Sequence, residues 1–165
     1  MVQSQGDTEI TMPTPDTLER FIARVESNLH AEAVEGFYTT DASIQENQSV
    51  PRIGRTPQAA RERVMLARAT SVTSQCVRPV FVSGDKVVIR WIFRFVWPDE
   101  TVTHMEELAY QRWEGDRIAE ETFFYDPAQT VPKQAHRYWP RARMGIRART
   151  VYHGACERPS AAQAG

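Results

Sequence analysis

The strongest constraint on the fold of this chain is a strict alternation of side chains over residues 86–97. Every second side chain is large and apolar, and this face comprises Val87, Ile89, Trp91, Phe93, Phe95 and Trp97. The opposite face mixes charged with β-branched residues, namely Val88, Arg90, Ile92, Arg94 and Val96. A period of two is typical of a β-strand with one face on a core and the other on solvent or a partner subunit. The apolar face therefore predicts a strand that covers a core or lines a cavity.

Tight turns divide the neighbouring sequence into further strands. Turn-forming triplets occur at residues 83–85, 98–100 and 114–116, and each combines residues that favour reversal of the chain. They predict four consecutive antiparallel strands, over residues 71–82, 86–97, 101–113 and 117–126. In the last of these strands, the alternation predicts one common face for Ile118, Glu120, Thr122, Phe124 and Asp126.

Helical patterns precede these strands. Thr14 and Pro15 predict a helix start, because threonine can accept a backbone hydrogen bond there and proline suits the first turn. Helical spacing then continues through Leu18, Phe21, Ile22, Val25 and Leu29. A second helix is predicted over residues 30–38 and a short strand over residues 42–48. A third helix is predicted from Thr56 to about Arg68, with an inward face formed by Ala60, Val64 and Ala67.

This order of elements is typical of an α+β fold in which three N-terminal helices pack on one face of a strongly curved, mostly antiparallel sheet. The 165 residues suffice for one ordinary domain. We expect a flexible leader over residues 1–13, the domain over residues 14–127 and a basic extension rich in Arg, Pro and Ala over residues 128–165. A curved sheet closed by helices encloses a cone, and apolar walls would make that cone a small-molecule pocket.

Charge is distributed unevenly along the chain. Residues 127–165 carry seven basic residues and one acidic residue, although the whole chain has a net charge of −1. An acidic body excludes nucleic-acid binding by that body. The basic extension can contact phosphate, the acidic body or a second subunit.

Several functional classes are not expected. The chain has neither an apolar run of about 18 residues nor a basic and apolar leader, so no membrane span, no membrane association and no secretory signal are expected, and the expected location is cytoplasmic. Cys76 and Cys156 are too few for a disulfide framework. No His pair has metal-ligand spacing with a nearby Glu, and no glycine-rich phosphate loop is present. Neither a metal nor any other cofactor is therefore expected.

Three stretches together resemble one superfamily. The first is Phe37–Glu46, followed by Gly54, Arg55 and the third helix; the others are residues 107–121 and residues 123–127. Their order and spacing over about residues 15–126 are similar to those of the nuclear-transport-factor-2-like (NTF2-like) superfamily, and within it to SnoaL-like polyketide cyclases and ketosteroid isomerases. The resemblance implies a cone-shaped fold and acid–base chemistry on a small molecule without a cofactor.

The resemblance implies catalytic roles for three carboxyl groups. Glu46 matches the general base of the isomerases, a role that suits a carboxylate whose pKa is raised towards neutrality by burial; the alternative is a surface residue at a strand edge. Glu107 matches an acidic hydrogen-bond donor, unless Glu106 faces inward instead or Glu107 forms a surface salt bridge. Asp126 matches an acid at the pocket mouth, but Asp126-Pro127 is also an ordinary turn start.

The ligand implied by this pocket is small and hydrophobic or aromatic. We expect it to contact Phe21, Phe37, Trp91, Phe93, Phe95, Trp97, Gln111, Trp113 and Phe124. The isomerases carry a tyrosine on the first helix where this chain has Phe21 or Ile22, which argues against steroid isomerisation. The expected activity is that of an isomerase, cyclase or hydratase. The alternative is a non-catalytic ligand-binding module or a scaffold for dimerisation.

Two further expectations concern surfaces. His30 is expected at a helix junction as a partner for backbone or a carboxylate, and His104 on the outer surface. A homodimer is expected through the convex sheet face, where Arg90 and Arg94 alternate with Val88, Ile92 and Val96.

Overall fold

The structure, a computed structural model, describes residues 12–134 and the backbone of residues 151–152. Residues 1–11 of the predicted leader and most of the predicted basic extension therefore lie outside the described residues, as do His136, His153 and Cys156. The helices are α1 (Pro15–Glu26), α2 (His30–Phe37) and α3 (Arg55–Ala67). The strands are β1 (Tyr38–Glu46), β2 (Arg52–Ile53), β3 (Ser71–Ser83), β4 (Lys86–Val96), β5 (Thr101–Glu114), β6 (Arg117–Tyr125), β7 (Lys133–Gln134) and β8 (Val151–Tyr152).

The first helix forms as its sequence predicts. The Thr14 side chain accepts a hydrogen bond from the backbone N–H of Thr17 at 3.2 Å and so caps the helix. Its apolar face is buried and consists of Leu18, Phe21, Ile22 and Val25. Among the described residues, no helix combines the length and apolarity that crossing a bilayer requires.

The third helix is rotated relative to its predicted orientation. Val64 is 65% exposed, and Gln58 and Ala59 are the buried residues instead. The predicted inward face of Ala60, Val64 and Ala67 is therefore wrong. The reason is that this helix has few large apolar residues, so its packing against α2 and β1 fixes its orientation rather than a strong hydrophobic period.

Within residues 12–134 and 151–152, the sheet has eight strands in the order β2-β1-β6-β5-β4-β3-β8, and β7 pairs with β5. Strands β3 to β6 form an antiparallel meander, whereas β1 pairs with β6 in parallel. Gly84 and Gly115 adopt φ of 56° and 57° in two-residue turns, a backbone region that glycine reaches without strain. The predicted α+β architecture, helices on a curved and mostly antiparallel sheet, is confirmed.

The two central strands have the predicted inward faces. On β4, Val87, Ile89 and the following aromatic residues are buried, and Trp97 just beyond the strand is partly buried. On β5, Glu107 faces inward together with Ala109, Gln111 and Trp113. Glu106 faces outward, where its carboxylate pairs with Arg90 at 2.8 Å.

Strand β6 departs from simple alternation at a β-bulge. Arg112 pairs with Glu120 and Trp113 pairs with Ile118, so Ala119 is an additional residue on β6. A bulge of this kind exchanges the two faces for all residues beyond it. The predicted face through Glu120, Thr122 and Phe124 is therefore wrong. The inward residues beyond the bulge are Glu121, Phe123 and Tyr125.

Candidate functional site

A cavity of about 300 Å³ lies between the helices and the concave face of the sheet. One wall is an aromatic row along β4, with ring centroids 5.9 Å apart for Trp91 and Phe93, 6.3 Å for Phe93 and Phe95, and 5.8 Å for Phe95 and Trp97. Further apolar side chains complete the lining: Phe21, Val25, Ala33, Val34, Met65, Met105 and Phe123. Such a concave apolar space is the usual form of a small-molecule site.

The structure separates the predicted ligand contacts into two groups. Those that line the cavity are Phe21, Trp91, Phe93, Phe95 and Trp97. Phe37 packs edge-on against Phe21 at 5.5 Å behind the cavity wall, and Gln111 and Trp113 are buried beneath the cavity surface. Phe124 is 44% exposed on the outer sheet face because the bulge turns it outward.

Glu107 is the least paired polar group of the cavity. Its side chain lines the cavity, the residue is 6% exposed, and its carboxyl has no hydrogen-bond partner among the described residues. Burial raises the pKa of Glu107 to about 8, and the charges of Glu121, Glu62 and Glu46 add to this shift. Glu107 is therefore a protonated acid at neutral pH.

A hydrogen-bonded chain holds a second carboxyl group, Glu121, at the cavity surface. The indole N–H of Trp113 donates to Gln111 Oε1 at 3.0 Å, and Gln111 Nε2 donates to Glu121 Oε1 at 2.7 Å. The hydroxyl of Tyr38 donates to the other carboxylate oxygen of Glu121. Burial raises the pKa of Glu121 to about 7, although both hydrogen bonds oppose that shift. The sequence prediction missed Glu121 because of the bulge at Ala119.

Glu46 lines the cavity in a different electrostatic environment. Arg52 Nη2 and the hydroxyl of Tyr125 each donate to its carboxylate at 2.7 Å, and Arg61 lies 3.7 Å away. Burial alone would raise the pKa of Glu46, but the hydrogen bonds from Tyr125 and Arg52 and the charges of both arginines lower it overall. The expectation that burial raises the pKa of Glu46 is therefore wrong, and the carboxylate is ionised at neutral pH.

Asp126 lies outside the cavity lining. Its exposed side chain accepts a hydrogen bond from the backbone N–H of Ala128 at 2.9 Å and caps the single 3₁₀ turn Pro127–Thr130. This is the turn-start arrangement that was the alternative for this residue.

The cavity also contains polar groups that the sequence did not predict to line it. Tyr38, Arg52 and Tyr125 lie in its wall with the carboxyl groups described above, and His30 and Glu62 contribute from the helical side. Among residues 12–134, no group of three or more His, Cys, Asp or Glu side chains is arranged to hold a metal ion. The cavity can therefore combine a protonated acid, an ionised carboxylate and an aromatic wall.

Comparison with known proteins finds likeness in structure only. No family model and no curated protein sequence matches the chain. A protein of ketosteroid isomerase-like fold from Catenulispora acidiphila, solved in complex with trimethylamine, is 15% identical with a TM-score of 0.60; the match covers 71% of this chain and 90% of that chain.

Two further solved structures are similar. An LEH-like epoxide hydrolase of M. tuberculosis is 14% identical with a TM-score of 0.58, over 70% of this chain and 84% of that chain. IdmH, a proposed polyketide cyclase from Streptomyces antibioticus, is 20% identical with a TM-score of 0.56, over 70% of this chain and 93% of that chain. The chain therefore has the NTF2-like fold that SnoaL-like and ketosteroid isomerase-like proteins share, which confirms the resemblance at the level of the fold.

Proposed function

We propose that this protein binds a small hydrophobic or aromatic substrate and catalyses proton transfer on it, as an isomerase, cyclase or hydratase of SnoaL-like type. The observation that carries the proposal is the carboxyl of Glu107, buried at the cavity wall without a hydrogen-bond partner among the described residues. Among the described residues, Thr39 Oγ1 is the fully buried side-chain polar atom without a partner, so the Glu107 oxygens are accessible from the cavity. A ligand in the cavity can therefore supply the hydrogen-bond partner that the protein does not.

Glu107 takes the role of acid in this proposal. A carboxyl with a pKa of about 8 is neutral under ordinary conditions and can donate a hydrogen bond to oxygen. An oxyanion that develops on the substrate would accept that bond more strongly than a neutral carbonyl does. The low-dielectric surroundings increase this difference, which is the requirement for accelerating the reaction.

Glu46 takes the role of base. Its carboxylate is ionised, and Tyr125, which donates to it, lies directly opposite Glu107 in the register of β5 and β6. Glu46 and Glu107 therefore approach one substrate from neighbouring parts of the same concave face. Environments that push the pKa values of two carboxyl groups apart assign one as acid and the other as base.

A β,γ-unsaturated cyclic ketone tests this chemistry. Glu46 removes a proton from the carbon between carbonyl and alkene, the electron pair moves to the carbonyl oxygen, and a proton returns at the far alkene carbon to give the conjugated isomer. Conjugation is followed by ultraviolet absorbance. Glu107→Gln replaces the acidic O–H donor by a weaker amide N–H donor and is expected to lower kcat about 10²-fold, the lower end of the usual effect of losing one oxyanion donor.

Glu106→Gln is the matched control, since Glu106 is the next residue on β5 and faces outward. It is expected to keep the wild-type rate. Equal rates for Glu107→Gln and wild type, with both variants folded, would contradict the role of Glu107.

A second candidate function is non-catalytic binding of a small amine. The aromatic row beside several carboxyl groups favours a cation, because aromatic faces and carboxylates both attract positive charge, and the Catenulispora acidiphila structure contains trimethylamine. Tryptophan fluorescence titration with choline and with its uncharged dimethylbutanol isostere decides this point. Tighter binding of choline supports the amine, whereas equal or weaker binding excludes it.

A further inference from the structure

His30 lies in the cavity wall instead of serving only as a helix-junction partner. It begins α2, is 8% exposed, and its ring contacts Phe93 edge-on with centroids 5.5 Å apart. The imidazole therefore faces the same space as Glu107 and Glu46, but from the helical side.

The hydrogen bonds of His30 determine which ring nitrogen carries the proton. Nε2 lies 2.8 Å from the hydroxyl oxygen of Ser74, and that hydroxyl donates to Asn28 Oδ1 at 2.8 Å. A hydroxyl has a single proton, and Ser74 uses it towards Asn28. Ser74 therefore accepts from Nε2–H, and Nδ1 of the neutral ring keeps a free lone pair.

A carboxylate lies near that nitrogen. Nδ1 lies 3.8 Å from Glu62 Oε2, while the other oxygen of Glu62 accepts a hydrogen bond from Gln58 Nε2 at 2.8 Å. At 3.8 Å no hydrogen bond joins Nδ1 to Glu62, so the lone pair of Nδ1 is not used by that carboxylate. Glu62 is nevertheless close enough to pair electrostatically with a ring that carries a proton on Nδ1.

The order of Ser74, His30 and Glu62 also resembles a nucleophilic triad, in which the serine would attack the substrate. Two observations exclude that role for Ser74. Its hydroxyl proton is engaged by Asn28, and the side chain is buried and does not line the cavity. Ser74 and Asn28 are positioning residues that fix the orientation and tautomer of the ring.

We propose that His30 is a second general base of this cavity and that it accepts the substrate proton at Nδ1. The proton leaves carbon, its electron pair stays on the substrate, and the resulting imidazolium is stabilised by Glu62. The proposal rests on the proposed function only in that the ligand carries an acidic C–H. The charged and titratable groups that share the cavity wall with His30 come from several elements. They are Glu62 and Arg61 from α3, Arg52, the carboxyls Glu46, Glu107 and Glu121, and the phenols Tyr38 and Tyr125.

The first test requires no variant. Nitrogen-15 NMR of the ring in the folded protein reports the tautomer directly. The neutral ring is expected to carry its proton on Nε2. A neutral ring protonated on Nδ1 would overturn the proposal, since that nitrogen would then be unable to accept a proton.

The second test uses nitrobenzisoxazole, a small aromatic probe that requires only a base. Its C–H proton passes to the base, the C–H electron pair forms the nitrile, and the N–O bond breaks to release a coloured nitrophenolate. His30→Gln is expected to lose about 10²-fold in rate, within the usual range for a general base. His104→Gln, on the exposed face of β5, is the control and is expected to keep the rate.

Chemical rescue separates a base from a structural residue. His30→Ala is expected to regain activity when free imidazole is added. Other small aromatic molecules that lack a basic nitrogen should not restore activity, because they would repair only the packing. The proposal would be overturned if wild type and His30→Gln eliminate the probe at equal rates. It would also be overturned if the wild-type rate equals the rate in buffer alone. If His30→Gln does not fold, Glu62→Gln and the imidazole-rescued His30→Ala provide the same comparison.

The two proposals fail in different ways. Ketone isomerisation that depends on Glu107 but not on His30 removes the second base and leaves the proposed function standing. Elimination of the probe that depends on His30, without any ketone isomerisation, leaves the base standing and removes the proposed function.

Discussion

At the scale of single residues, the cavity sets two carboxyl groups in opposite states. Glu107 is buried near other carboxyl groups, and so holds its proton. Glu46 has two arginines and a tyrosine near it, and so loses its proton. Neither difference follows from the local sequence, because the partners of Glu46 come from residues on other elements.

The raised pKa of Glu107 predicts how stability depends on pH. The folded carboxyl titrates at about 8 and the unfolded one near its ordinary 4.5, so between these values the folded state binds the extra proton. The free energy of unfolding should therefore decrease as pH rises through this window, by up to about 1.4 kcal/mol per pH unit. Glu121 contributes in the same direction, since its pKa is also raised.

Urea unfolding of wild type and Glu107→Gln across this pH window measures the effect. The variant is expected to show a weaker pH dependence than wild type, because the neutral amide does not titrate. Carboxyl-selective NMR of the wild type should show the Glu107 midpoint at about 8. Parallel pH profiles for the two proteins, or a midpoint near 4.5, would contradict the assignment.

At the scale of secondary structure elements, the sequence predicted those with a strong period and failed where the period is weak or interrupted. The aromatic alternation of β4 has only one satisfactory orientation, so its inward face was correct. Helix α3 offers alanines on several sides, and its neighbours fix its rotation. In β6, the additional residue Ala119 exchanges the two faces of the strand, so Phe124 faces outward and Glu121 faces inward.

The candidate site was predictable to the same extent. The aromatic wall and the inward position of Glu107 follow from regular alternation on β4 and β5. Glu121 and Tyr125 could be found only by recognising the bulge, for which the sequence offers no strong turn residue. His30 was placed at the correct junction, but its direction depends on Ser74 of a distant strand.

The bulge itself predicts a difference between two deletions in β6. Removing Ala119 leaves Ile118, Glu120 and Glu121 in a regular alternation with their present partners on β5. Removing Thr122 instead turns Phe123 and Tyr125 to the outer face. Circular dichroism and thermal unfolding should therefore show a cooperative transition for the Ala119 deletion, and a lost or strongly weakened one for the Thr122 deletion. Equal behaviour of the two deletions would contradict this register.

At the scale of the whole molecule, the outer sheet face exposes large apolar side chains. Phe81, Leu108, Tyr110 and Phe124 are each exposed by more than 40%. Contiguous apolar surface of this kind marks interaction sites more often than it remains in solvent. We propose, as the alternation on β4 predicts, that two copies of the chain associate through this face.

Light scattering after size-exclusion chromatography tests the association. The wild type is expected to elute with the mass of a dimer, and Leu108→Glu with that of a monomer, because the new carboxylate would be buried without a partner at the interface. Lys133→Glu is the control, since it adds the same carboxylate on the exposed strand β7. A monomeric wild type would exclude the homodimer.

The parallel pairing of β1 with β6 determines when the site can exist during folding. Glu46 and Tyr125 are 79 positions apart in the chain, and Tyr38 and Glu121 are 83 apart. Contacts between such distant segments require closure of a long loop, which slows folding. A nascent chain that has not yet emerged past β6 therefore has its aromatic strand but no cavity, and acquires binding capacity only when its last long strand is in place.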